Sequence, residues 1–174
     1  MFFEDQFAKP WYPYAGNNVE PKNAKPAKYV VGSGNNTLTI TYGTDVQGNG
    51  YKFKAVLAEN PEADMSVDFS PTTKTLTVTL GTTDNETITA DNTKNTYVKI
   101  AAEINKIPGF KAVVNGSGVI SDEIEADEFD DGQLGTVCPV AGTFIKKSDT
   151  EWYVNIAPNS EHDANWRKLT VSTY

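Results

Sequence analysis

The only thiol in the chain is Cys138 and the only imidazole is His162. Together they would make a nucleophile and its base, the ring taking the proton from sulfur. Their surroundings argue against that chemistry. Cys138 stands beside Pro139 ahead of a strand-like segment, and not at a helix N-terminus that would favour the thiolate. His162 lies between Glu161 and Asp163 in a polar loop. Cys138 is therefore read as a small buried hydrophobe. A single cysteine can form neither an intramolecular disulfide nor a cysteine-based zinc cage. No His-x-x-x-His appears, and Gly32-Ser-Gly34 precedes a strand where a dinucleotide loop would precede a helix. Nor does the pattern single out two acids as a glycosidase pair. The expectation is a protein without catalytic residues, metal or cofactor.

Carboxylates offer a second chemistry. The formal charge of −8 is concentrated, with seven acids between Asp122 and Asp131 (DEIEADEFDD). Residues 1–121 carry eleven lysines against twelve acids, and 132–174 carry four of each sign. Clustered carboxylates suit a hard cation. Here no glycine sits at the turn position of a calcium loop and no glutamate closes it, so the tract is read as a solvated, self-repelling linker. Without a basic stripe, nucleic acid is not an expected partner. No run approaches the ~18–20 apolar residues of a membrane-spanning helix. Acids stand near the N-terminus where a secretory signal would carry Lys or Arg, so ordinary export is not expected. On that reading the sequons at Asn35, Asn85 and Asn115 reflect a chain rich in Asn and Thr.

Aromatic surface is the remaining functional currency. Phe2, Phe3, Phe7, Trp11, Tyr12 and Tyr14 lie in a segment punctuated by Pro10, Pro13, Pro21 and Pro26. Proline keeps such a segment extended, and aromatics need a surface to cover. The arm either packs on its own domain or docks into a partner; docking is the expectation. Trp152, Tyr153 and Trp166 lie on short strand-like segments and suit core packing, a subunit contact or sugar stacking. Adjacent strand residues point to opposite faces, so Trp152 and Tyr153 cannot both face the core.

The elements that would position these groups follow from periodicity. Asn36–Tyr42 alternates strictly, with Leu38, Ile40 and Tyr42 on one face and threonines on the other. Tyr51–Leu57 alternates again after an Asn49-Gly50 turn. Met65–Phe69 and Lys74–Leu80 flank a Ser-Pro-Thr-Thr turn and read as a hairpin. Tyr97, Ile100, Ala101 and Ile104 form a helical stripe within 95–107, with Asp91, Asn92 and Thr93 as candidate caps and Pro108-Gly109 as the stop. Phe110–Val114 is a further strand. The fold class is mainly β, α+β, with one helix lying on a sheet. Gly142–Lys146, Glu151–Asn155 and Trp166–Val171 predict a small C-terminal β module. Four segments result: an aromatic arm (1–30), a β-rich domain (31–118), an acidic linker (119–134) and the C-terminal module (135–174).

Residues 135–145 (GTVCPVAGTFI), 152–155 (WYVN) and 163–169 (DANWRKL) carry a resemblance. They are similar to a small module of tailed-bacteriophage head fibre and capsid decoration proteins, with a Gly-Thr-x-x-Pro-x-x-Gly-Thr opening, a Tyr-Val-Asn/Cys strand and a closing Trp-x-x-Leu. Residues 35–114 resemble, less specifically, another phage structural module. The resemblance implies a non-enzymatic virion protein on the outer capsid, made in the bacterial cytoplasm. Its partners would be the major capsid protein and copies of itself, a trimer among the options. The other readings are a carbohydrate-binding host-adhesion module and a tail or connector component.

Overall fold

In a computed structural model, residues 21–84, 87–135, 144–147, 151–155 and 166–170 are described. The described residues are mainly β, with one α-helix among them. The backbone divides into two units, one of them residues 26–132 and the other the flanking segments on both sides.

The 26–132 unit has two sheets. The first is antiparallel, in the order β1 (Ala27–Ser33), β2 (Asn36–Tyr42), β6 (Phe110–Asn115). The second runs β4 (Ser66–Ser70), β5 (Thr75–Leu80), β3 (Lys52–Leu57), β7 (Ile124–Glu128), with β3 parallel to β5 and antiparallel to β7. The period-2 strands place Leu38, Ile40 and Ala112 of the first sheet in one buried cluster with Phe53, Leu76, Val78 and Leu80 of the second. Aromatic rings join the sheets. Tyr29 stacks on Phe53 at 5.0 Å between centroids, and Phe69 meets Phe110 edge-on at 4.9 Å.

Helix α1 (Tyr97–Ile104) buries Tyr97, Ile100, Ala101 and Ile104. It packs between β6 and β4, the edges of the two sheets, and supplies the apolar cover both lack. The helix is shorter than the 95–107 expected. Its cap is Thr96, not Asp91, Asn92 or Thr93, because Asp91 is used in a turn and Asn95 is drawn into the core. At the other end Asn105 is the C-cap, and Ile107 begins the turn into Phe110.

Two boundaries differ from the sequence reading. The acidic stretch is not a solvated linker, since Ile124–Glu128 is an edge strand paired with β3. Ile120 and Phe129, at 3% and 1% exposure, pin its two ends in the core, and β7 bulges by one residue opposite Lys54. The charges are tolerated because four of the five β7 residues are exposed, and Glu128 lies opposite Lys52. At the other boundary, residues 27–30 belong to β1 and not to the arm. Ala27 is fully buried, and the alternation of Tyr29 and Val31 against Val30 runs into the prolines that hide it from a sequence scan.

The other unit contains an antiparallel meander of β8 (Phe144–Lys146), β9 (Glu151–Asn155) and β10 (Trp166–Thr170), as the alternating segments predict. Residues 23–25 belong to it too, Lys25 pairing with Gln133 through two backbone hydrogen bonds of 2.8 and 2.9 Å.

Candidate functional site

The C-terminal meander holds the aromatics singled out as a recognition surface. Register sets Trp166 opposite Asn155, Lys168 opposite Tyr153, and Leu169 opposite Trp152. Residues two apart share a face, so Tyr153 and Trp166 lie on one side and Trp152 and Leu169 on the other. The first side is buried, with Tyr153 at 7% and Trp166 at 4% exposure. Trp152 and Leu169 are half-buried. Trp166 therefore does not offer a ring face for sugar stacking; it is a core residue of the module, and Trp152 is the more accessible indole. The proposed arm residues Phe2, Phe3, Phe7, Trp11, Tyr12 and Tyr14 lie outside the described residues, as do Cys138 and His162.

Ion pairs border the same meander. The Glu151 carboxylate accepts hydrogen bonds from Lys168 and pairs with Lys147 at 3.2 Å. The hydrogen bond from Lys168, with that from Lys147, holds the Glu151 carboxyl below the usual range, and the same contact raises Lys168. In the larger unit Lys28 pairs with Asp131 at 2.9 Å and is raised by it. Asp91 is lowered by the hydroxyl and N–H of Thr93, donated at 2.7 and 2.8 Å. Each of these charges is held in a surface pair or a turn. Among the described residues, no three His, Cys, Asp or Glu side chains come together as a metal-binding group.

What sequence reasoning missed is the work of asparagine. The carboxamide presents a donor and an acceptor side by side, as does one residue of a strand on its bonding edge. Asn23 uses it on Trp166, accepting from its N–H at 2.5 Å and donating to its carbonyl at 3.4 Å. Asn49 pairs likewise with Gly132, at 3.0 and 3.3 Å. Asn95 pairs with Gly81 and Asn105 with Ala112. The abundance of asparagine was the available signal, and it marks strand ends and edges closed by side chains.

The outer faces of the body are repetitive. Val30, Thr39 and Val113 form one cross-strand row on the first sheet, beside a Lys28–Thr41–Lys111 row. Val30 and Val113 are 43% and 54% exposed. On the second sheet Thr75, Thr77 and Thr79 alternate with the buried Leu76, Val78 and Leu80. No family model, curated protein or solved structure matches this chain.

Proposed function

We propose that the chain is a non-enzymatic structural protein of a tailed-bacteriophage virion, a capsid decoration or head fibre component. In this reading the N-terminal aromatic segment grips the major capsid protein, and the β units are displayed outward, with self-association as a second contact. The observation that supports the reading is the pairing of two of the three segments that carry the resemblance. The WYVN and WRKL segments are neighbouring strands, with Trp166 facing Asn155 and Leu169 facing Trp152. The two described segments are thus paired strands of one meander, which supports reading them as parts of one module. The charged groups with displaced pKa values sit in ion pairs and turns, which suits a structural role.

Asn23 and Ala27 define where the anchor can begin. Asn23 clasps Trp166 and Ala27 starts β1, so an anchoring segment free to bind elsewhere is confined to about residues 1–20. The test is co-sedimentation of the full chain and a 21–174 truncation with capsids. Binding by the full chain and loss of binding by the truncation, with an unchanged circular dichroism spectrum, supports the anchor. Equal binding by both removes it, and absence of binding by either removes the virion assignment.

A further inference from the structure

The chain contains two Asn-Gly dipeptides, Asn49-Gly50 and Asn115-Gly116. This dipeptide is the one most open to intramolecular attack, because glycine has no side chain to hinder its own nitrogen. The structure treats the two differently.

Asn49 is locked at both reacting ends. Its carboxamide accepts from Gly132 N–H at 3.0 Å and donates to the Gly132 carbonyl at 3.3 Å. The nitrogen that would attack it, on Gly50, donates its hydrogen to the Phe129 carbonyl at 3.1 Å. Three hydrogen bonds must break before the ring can close.

Asn115 has none of these restraints. Gly43 N–H donates to the Gly109 carbonyl, which fixes the parity of the β2–β6 ladder. The N–H groups of Lys111, Val113 and Asn115 then point toward β2, and those of Ala112, Val114 and Gly116 point out of the sheet edge. Asn105 covers Ala112 at that edge. Among the described residues nothing accepts from Gly116 N–H, and nothing bonds the Asn115 carboxamide. Both residues are exposed, and Asn115 is the last residue of its strand.

We propose that Asn115 is a site of spontaneous deamidation in the folded protein, and that the fold protects Asn49. The Gly116 nitrogen attacks Cγ of Asn115, and a new C–N bond closes a succinimide as the amide nitrogen leaves as ammonia. Water then adds to either ring carbonyl, giving aspartate or isoaspartate at residue 115. Both products add a negative charge, and isoaspartate lengthens the main chain by one carbon. That change falls two residues before Ser117, whose N–H donates to Asn36 Oδ1 at 3.0 Å and ties this loop to β2. Deamidation here therefore alters charge and chain path at one end of the first sheet. Deamidation at Asn115 does not depend on the virion reading.

The experiment is mass spectrometry of peptides from the intact chain aged in mildly alkaline buffer, natively and in concentrated urea. Deamidation is read as a gain of about one mass unit at each asparagine. The native protein should convert Asn115 at least roughly tenfold faster than Asn49, given three extra hydrogen bonds to break at Asn49. In urea the two rates should converge. Equal rates in the native protein would overturn the proposal. So would a ratio that persists unchanged in urea, since the preference would then belong to local sequence and not to the fold.

Discussion

The side chain of Asn95 pairs with both main-chain groups of Gly81, accepting from its N–H at 2.7 Å and donating to its carbonyl at 2.8 Å. Asn95 is fully buried, and its own carbonyl accepts from Ile120 N–H at 3.0 Å. One residue thus joins the end of β5, the entry to α1 and the approach to β7. Beside it, the Lys94 ammonium donates to the carbonyls of Glu62, Ala63 and Thr82 at 2.9, 3.0 and 3.0 Å. The irregular backbone between the second sheet and the helix is satisfied by two consecutive side chains.

Removing the carboxamide tests that relationship. Asn95→Ala leaves the buried Gly81 N–H without its partner and removes one of two donors from the Gly81 carbonyl, which keeps the Asp91 N–H at 2.8 Å, a loss of about 2–3 kcal/mol. Asn105→Ala removes the same kind of pairing from Ala112, but Asn105 itself is exposed, so water can take its place and the loss should be about 1 kcal/mol. Urea unfolding midpoints at constant slope measure both. Equal losses would mean that burial does not set the value of these clasps.

Gly118 is required by the ring of Tyr97. A Cβ on Gly118 would lie 2.0 Å from Cε2 and 2.5 Å from Cδ2 of that ring, which itself is 5% exposed. The Gly118 carbonyl also accepts from Tyr97 N–H at 2.8 Å, so the backbone cannot easily move away. Gly118→Ala should destabilise by about 3 kcal/mol through overpacking. Shortening the ring with Tyr97→Leu should make the two changes less than additive, by about 1–2 kcal/mol in a double-mutant cycle. Gly34→Ala, with open space but φ of +60°, should cost only about 1 kcal/mol.

The strands that alternate threonine with apolar residues, 36–42 and 75–80, were legible because one face is buried and the other is not. β7 was not, because four of its five residues are exposed. It is held by main-chain pairing and by Ile120 and Phe129 outside the strand, so the apolar signal lies beyond the segment it stabilises. The helix stripe was legible while its ends were not, since Asn95 and Asn105 serve partners distant from the helix axis. In the C-terminal module, alternation separates Trp152 from Tyr153. It cannot place Trp166, whose side depends on the register between β9 and β10. The asparagine clasps depend wholly on tertiary placement and leave only a composition signal.

The charge on β7 has a consequence for assembly. An edge strand offers unpaired main-chain groups to other chains, and charge is a common deterrent. Replacing Glu125, Asp127 and Glu128 together by threonine keeps β propensity and removes three charges from the edge. The variant should remain folded by circular dichroism and associate at lower concentration than the parent in light scattering. Unchanged association would show that the acids do not guard this edge.

Glu151 gives the C-terminal module a pH signature whose sign follows from its neighbours. Its carboxyl is held below the ordinary value of 4.5, chiefly by the hydrogen bond from Lys168 and then by that from Lys147. The stabilisation is therefore present above that value and is lost as pH falls through the lowered one. Lys168 is raised above 10.5 by the same contact, so its share is present below 10.5 and disappears as pH rises through the raised value. Between these limits the pair is fully formed. Trp152 and Trp166 report on the meander once Trp11→Phe removes the third indole. In that background, urea unfolding followed by fluorescence should show the meander weakening from neutral pH to below the lowered Glu151 value. Glu151→Gln should lower stability at neutral pH and flatten that acid-side decline. A decline of the same size in the Gln variant would assign the acid sensitivity to other carboxylates and remove Glu151 from this role.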